Sequence, residues 1–286
     1  MNTTHIILQG LEPIHQRYQQ LLQEIADIAS AGNVVKLNDS AARFEQVSLD
    51  TDAWVSIQEL CFKAELDVTA LDKKLSLSDF KLLAMDMDST LITIECIDEI
   101  ADMQGLKPQV AEITEAAMRG ELEFQESLTR RVALLKGLDA LALQRVYDER
   151  LQLSLGADKM LKALQQAGLK TLLVSGGFTF FTDRMKSRLQ LDYTHSNLLE
   201  IDHGKLTGKV SGIIVDADEK QRTVERICAE LGVTGKQAIV MGDGANDLKM
   251  MSVSGLSVAF RAKPVVRAKA DVAFNFVGLD GILNLF

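Results

Sequence analysis

Asp86 and Asp88 stand one residue apart, directly after the apolar run Leu82-Leu83-Ala84-Met85 and before Ser89 and Thr90. Two carboxylates that close repel, so a bound Mg²⁺ or a shared proton must stabilise them. A strand ending in an Asx-type turn would use the same residues without any chemistry. Two more acids, Asp243 and Asp247, follow a second apolar run in Gly242-Asp243-Gly244-Ala245-Asn246-Asp247, where glycines permit close backbone approach. Ser175-Gly176-Gly177 follows a third apolar run and precedes a helical stretch. A small hydroxyl, two glycines and a helix start make an anion cradle, because N–H groups point outward there and the dipole favours negative charge. An ordinary strand-to-helix turn would read the same way. Lys220 falls near the start of a predicted helix, against the dipole. That suits either a specific partner or a solvated side chain.

Short apolar runs bounded by turn residues predict strands buried on both faces of a parallel sheet. This applies to 82–85, 170–174 and 237–241, with shorter strands at 256–260 and 271–274. Apolar residues at helical spacing predict helices over 158–167, 178–189, 218–231 and from 248. A hairpin around His203-Gly204-Lys205 would pair 198–201 with 208–215. Repeated strand–helix units give an α/β fold with a doubly wound, Rossmann-like parallel sheet, whose ligands bind outside the carboxyl ends of the strands. From Leu91 to Asp148 the pattern is helical throughout, with helices expected over 93–103, 108–118, 121–136 and 138–147. Such an insertion after the first strand, about 91–155, predicts a helical cap over the crevice that excludes water until substrate is bound.

Residues 1–75 predict a separate small α+β domain. A strand at 5–9, a helix at 14–28, strands at 34–37 and 44–49, a helix at 54–65 and a strand at 67–71 give the β-α-β-β-α-β order of split ferredoxin-like folds. In that order and in the Gly10 turn it resembles the small-molecule-sensing ACT domains. Ligand sensing, packing and homodimerisation each fit such a lobe. The polar stretch 73–78 links it to the larger domain, 76–286.

The length of 286 residues suits two domains, and 47% hydrophobic residues suffice for a sizeable core. A formal net charge of −9 carries no electrostatic footprint for nucleic acid. It would also repel a phosphorylated substrate at long range, so a phosphate site needs local cations. No run of about 18 apolar residues predicts a membrane span, and the first five residues lack a signal-peptide pattern. Cys61, Cys96 and Cys228 are odd in number and widely separated, which predicts reduced thiols in a cytoplasmic protein. His5, His15, His195 and His203 are expected at surface or turn positions.

Taken in order, Asp86-x-Asp88-x-Thr90, Ser175-Gly176, Lys220 and Gly242-Asp243-Gly244-Ala245-Asn246-Asp247 resemble the four motifs of the haloacid-dehalogenase-like phosphohydrolases. Asp86-Met87-Asp88-Ser89-Thr90-Leu91-Ile92, Glu95-Cys96-Ile97-Asp98-Glu99-Ile100, Met118-Arg119-Gly120-Glu121-Leu122-Glu123-Phe124 and Ser175-Gly176-Gly177-Phe178-Thr179 are similar to the phosphoserine phosphatase branch of that family. The resemblance covers residues 80 to about 275. It implies Mg²⁺-dependent hydrolysis of O-phospho-L-serine to L-serine and phosphate through an aspartyl-phosphate, the last step of serine biosynthesis.

Residue by residue, the resemblance implies Asp86 as nucleophile and Asp88 as the acid and then the base. Mg²⁺ would sit on the carboxylates of Asp86 and Asp243 and the main-chain carbonyl of Asp88, with Asp247 orienting its waters. Lys220, Ser175, the Gly176 amide and Asn246 would surround the phosphoryl group. In the cap, Glu95 would take the substrate ammonium and Arg131 its carboxylate, with Met118 and Phe124 at further cap positions. Phe124, Leu128 and Arg131 fall at i, i+4 and i+7, on one helix face. Without the resemblance, Glu95 and Arg131 read as ordinary surface charges. Relatives differ mainly in their caps, so another small phosphate ester, or phosphotransfer to an alcohol, is the alternative. A binding protein without catalysis is opposed by the required residue type at every catalytic position.

Overall fold

The computed structural model describes residues 5–119 and 121–286, apart from the side chain of Met118. The expectations for the N-terminal start, for Gly120 as a helix stop and for the Met118 side chain fall outside these residues.

Among the described residues the first sheet is built from β1 (His5–Gln9), α1 (Ile14–Arg17), α2 (Gln19–Ile28), β2 (Asn33–Asn38), β3 (Ala41–Glu45), α3 (Thr51–Lys63) and β4 (Asp67–Leu71). Its strands are antiparallel in the order β2-β3-β1-β4, the ferredoxin-like arrangement. β1 is buried along its length because both faces are covered. Ile6 and Leu8 pack with Ile25, Phe44 and Ile57 under the lobe's own helices. Ile7, between them, joins the core of the remaining chain. Three expectations change here. The helix over 14–28 breaks at Tyr18, whose φ of −123° and ψ of 30° are not helical. The strand expected at 44–49 is Ala41–Glu45, because the Ser40 N–H closes a turn on the Asn38 side chain at 2.9 Å and pairing with β1 resumes at once. His5, expected at the surface, is buried between Glu45 and Leu71 on the flanking strands.

The second part runs β5 (Leu82–Met85), α4 (Cys96–Asp102), α5 (Lys107–Met118), α6 (Phe124–Leu134), α7 (Leu141–Glu149), α8 (Ala157–Gln166), β6 (Lys170–Phe178), α9 (Thr179–Leu189), β7 (Tyr193–Asp202), β8 (Lys205–Ser211), α10 (Ala217–Glu230), β9 (Ala238–Gly242), α11 (Leu248–Ser252), β10 (Leu256–Phe260), α12 (Pro264–Arg267) and β11 (Val272–Phe274). The strand order is β11-β10-β9-β5-β6-β7-β8, parallel except for β8 against β7. Leu83, Met85, Ile239 and Met241 face a core shared with α8 and α9. Leu82, Ala84, Ala238 and Val240 face the opposite core with α10 and α11. That alternation is the doubly wound α/β fold. β6 follows β5 on one side and β9 returns on the other, so the switch point lies between β5 and β9.

β7 begins at Tyr193, ahead of the hairpin expected from 198. Its first half pairs parallel with β6, and the polar string Tyr193-Thr194-His195-Ser196 hides that pairing in the sequence. The cap helices α4–α7 leave and rejoin the core through a narrow neck. There the Thr93 N–H donates to Gln152 O at 3.0 Å, and the Ser154 N–H donates to Leu91 O at 3.0 Å. The first and third cap helices start at Cys96 and Phe124, a few residues later than expected. All three cysteines are free and buried. Among the described residues no helix is long and apolar enough to cross a membrane.

One buried carboxylate joins the two parts. Asp67, at the start of β4, accepts hydrogen bonds from the backbone N–H groups of Asn275 (2.8 Å), Phe276 (2.9 Å) and Val277 (2.9 Å). Burial pushes the Asp67 carboxyl up, and these donors pull it back. Asn284 adds bonds to Gln9 and Asn38, each 2.7 Å. Asp67→Ala strands three N–H groups and should lower the unfolding free energy by about 2–4 kcal/mol. Denaturant unfolding followed by circular dichroism checks this, with Asp67→Asn, which keeps one acceptor oxygen, losing less.

Candidate active site

β5 and β9 lie side by side with Met85 opposite Met241, and the Asp86 N–H donates to Met241 O at 3.0 Å. The residues that follow each strand therefore emerge together at the switch point. Lys220, in the first turn of α10, is fully buried. Its Nζ lies 2.7 Å from Asp86 Oδ1 and 2.8 Å from Asp247 Oδ1. The helix start is held by Asp216, whose side chain accepts the Glu219 N–H at 2.9 Å. So the lysine that opposes the helix dipole is not solvated. Two carboxylates offset the unfavourable placement.

Both remaining contacts shape the acids further. The Met87 N–H donates to the same Asp86 Oδ1 at 2.8 Å. Asp247 Oδ2 accepts the Gly244 N–H at 3.0 Å, so both its oxygens are engaged. A Cβ on Gly242 would meet Asp247 Oδ2 at 2.4 Å, so only glycine lets that carboxylate fold back over the strand end.

The site is short of positive charge. Ligand oxygens of Asp86, Asp243 and Asp247 all lie within 4.8 Å of one another. Burial, then Asp247 and Glu95, push Asp243 up to about 7, and its carboxylate receives only a long bond, 3.4 Å, from the Thr90 hydroxyl among the described residues. Burial also raises Asp86, although Lys220 pulls it back. Burial alone would lower the Lys220 ammonium, but Asp247 and Asp86 outweigh it and hold the lysine protonated. One ammonium thus serves three carboxylates. Such a cluster fits a hard divalent cation, which takes one or two carboxylates and fills its other positions with water or phosphate oxygen. Asp86 and Asp243 suit direct ligation; Asp247, with both oxygens occupied, suits support.

The cap and the core meet in one cavity of about 660 Å³. Asp86, Asp88, Asp243, Asn246, Ser175 and Gly176 line it from the core, and Glu95, Phe124, Leu128 and Arg131 from the cap. The spacing of Phe124, Leu128 and Arg131 therefore does place them on one face. Burial, then Glu95, push Asp88 up to about 8, partly offset by hydrogen bonds to Cys96. Asp88 Oδ1 is buried without a partner among the described residues. Burial also raises Glu95, which accepts the Ser89 hydroxyl at 2.6 Å. Burial lowers Arg131, while Asp98 and Glu95 pull it back. Phe124 closes over Gly176, where a Cβ would stand 3.0 Å from its ring.

The anion cradle differs from expectation. Ser175-Gly176-Gly177 lies inside β6, which stays extended to Phe178, and α9 begins only at Thr179. The helix therefore starts four residues beyond Ser175. Instead the pairing with β7 shifts between Val174 and Phe178, and the Ser175 hydroxyl accepts the Gly177 N–H at 2.8 Å. Two contributors escape sequence reasoning. Asn197, buried in β7, donates to Gly176 O at 2.7 Å and accepts the Val215 N–H at 2.9 Å, bracing the glycine strand. A lone Asn in a polar strand gives no signal of this. Lys263 also lines the cavity. The signal available for it was a cation just past the strand 256–260.

The haloacid dehalogenase-like hydrolase family profile matches residues 80–255. A phosphoserine phosphatase of Polaromonas sp. is 56% identical over 225 residues, 77% of this chain and 95% of that protein. The chain belongs to the phosphoserine phosphatases of the haloacid dehalogenase-like hydrolases. It is therefore a phosphatase. A haloacid dehalogenase family hydrolase of Salmonella enterica serovar Typhi superposes with a TM-score of 0.88 at 33% identity, covering 99% of this chain and 98% of that one, so the likeness includes the N-terminal lobe. A phosphoserine phosphatase solved as a phospho-aspartyl intermediate analogue superposes with a TM-score of 0.67 at 39% identity, covering 71% of this chain and 97% of that one.

A Cβ on Gly177 would lie 3.0 Å from both Asp88 Oδ2 and Ser175 Oγ. Gly177→Ala must displace one of them, so phosphatase activity should fall at least about tenfold with the fold retained. Steady-state kinetics beside near-ultraviolet circular dichroism checks this.

Proposed function

We propose that the chain hydrolyses O-phospho-L-serine to L-serine and phosphate through an aspartyl-phosphate, closing serine biosynthesis. The observation that carries this reading is one cavity shared by the acids Asp86 and Asp88 and by the opposed charges Glu95 and Arg131. A phosphorylated amino acid brings a phosphate, an ammonium and a carboxylate, and the walls offer a partner for each. The Polaromonas phosphoserine phosphatase and the phospho-aspartyl analogue of another support the same reaction.

Asp86 attacks phosphorus in line, and the bond from phosphorus to the serine oxygen breaks. Lys220 and the Met87 N–H hold Oδ1, which fixes how the carboxylate faces the cavity. Asp88, kept protonated by burial and by Glu95, gives its proton to the departing oxygen. Water then attacks the aspartyl-phosphate, and Asp88, now ionised, accepts its proton as phosphate leaves. Lys220, Ser175, the Gly176 amide and Asn246 hold the phosphoryl oxygens. Asp86, Asp243 and the main-chain carbonyl of Asp88 would hold Mg²⁺, which when bound offsets the negative charge gathered on the phosphoryl group and its acidic neighbours. Asp247 would orient the waters around it.

Glu95 takes the ammonium, and the planar Arg131 guanidinium takes the carboxylate through two parallel bonds. Phe124 and Leu128 keep water from that end, and Met118 belongs to the same cap by resemblance. We take 1–75 and 76–286 as the two domains, with the cap at about 91–155, a division supported by the separate sheets and the neck at Leu91–Thr93.

A panel of phosphoserine, phosphothreonine and phosphoethanolamine, with Mg²⁺ and after chelation, tests the reading by released phosphate. Phosphoserine should be preferred by about tenfold or more, and chelation should abolish turnover until Mg²⁺ is restored. Equal turnover of all three would favour the alternative, another small phosphate ester. Asp86→Asn should lower kcat by about a thousandfold or more; unchanged turnover would end its assignment as nucleophile. Arg131→Ala should raise KM for phosphoserine about 10–100-fold, while phosphoethanolamine, which lacks the carboxylate, changes little.

A further inference from the structure

One cation at the cavity has no part in the roles above. Arg261-Ala262-Lys263-Pro264 joins β10 to α12 at the same end of the sheet as Asp86 and Asp243. Arg261 sits at φ 46°, a left-handed backbone that is costly for a long side chain. The segment is pinned on both sides. The Arg261 N–H donates to Phe274 O at 2.7 Å, and the Lys263 N–H donates to Asp243 O at 3.1 Å. Pro264 then occupies the first turn of α12 and sets its φ. A strained and tethered backbone thus fixes where the Lys263 side chain starts.

That side chain lines the active-site cavity while the residue itself is exposed, which puts it at the mouth. Among the described residues its ammonium has neither an ion pair nor a hydrogen bond. Its charge is nonetheless felt by the carboxylates of Glu95 and Asp243, whose ionised forms it favours. Around it the wall is acidic: Asp86, Asp88, Glu95 and Asp243 face the cavity against Arg131 and Lys263. Lys220 lies behind them, already shared between Asp86 and Asp247. On a chain of net charge −9, an approaching phosphate dianion meets repulsion until it reaches a local cation.

We propose that Lys263 is a substrate-selecting residue, which draws anionic phosphate monoesters into the cavity and retains them by charge at its mouth. The proposal rests on the reading above only in taking a phosphate ester as substrate. A mouth cation acts alike on bound substrate and transition state, so it governs KM rather than kcat. Because it is exposed, salt screens it.

The test compares Lys263→Gln and Lys263→Arg with the unaltered protein on phosphoserine, at low and high salt. At low salt the Gln variant should show KM raised about threefold to tenfold, with kcat within about twofold. Its kcat/KM should fall less steeply with salt than that of the unaltered protein, and the Arg variant should keep both values. An unchanged KM at low salt, a loss confined to kcat, or an unchanged salt slope overturns the proposal while the phosphatase reading stands. An unaltered protein inert toward every phosphate ester overturns both.

Discussion

The structure depends on one ammonium placed out of water. Burying a lysine completely costs several kcal/mol unless carboxylates meet it with good geometry. Lys220 meets that condition with Asp86 and Asp247 at 2.7 Å and 2.8 Å. Its partners arrive from different strands, so the parallel register of β5 and β9, the bare Gly242 and the capped start of α10 must all hold at once. The arrangement stays two positive charges short of its three carboxylates, and Asp243 finds no ammonium of its own. A cation is therefore welcome there, and without one a phosphate group would meet too little positive charge.

The same helix start also touches the cap. Asp216, which holds the first turn of α10 through Oδ1, accepts Gln125 of the cap through Oδ2 at 2.7 Å. Beside Gln125, Phe124 rests over Gly176. The cap leans as well on β8, where the Gly137 N–H donates to Leu206 O and the Ala140 N–H to Gly204 O. One aspartate therefore touches both the helix start that carries Lys220 and the cap helix that carries Phe124 and Arg131. Arg131 and Glu95 line the same cavity as Asp86 rather than standing as surface charges. The N-terminal lobe is joined to the rest through Asp67 and Asn284, neither of which lines that cavity.

Much was readable from the chain alone. Runs such as 82–85 and 237–241 are apolar at every position because both faces of those strands are covered, and no folded context is needed to see it. The acids after each run and the glycines between them are local features, so Asp86, Asp88, Asp243 and Asp247 could be picked out one by one. Helical spacing likewise put Phe124, Leu128 and Arg131 on one face. Only the tertiary structure decided which charges meet. Ser175-Gly176-Gly177 stays in a strand because β7 and Asn197 hold it there, whatever the local pattern suggests. His5 reads as an ordinary polar position, and Lys220 is marked locally only by its place against the helix dipole, yet one is sealed between strands and the other is fully buried. Pattern encodes burial and turns over a few residues, whereas pairing of charges depends on strand order and register, which are set by contacts far apart in the chain.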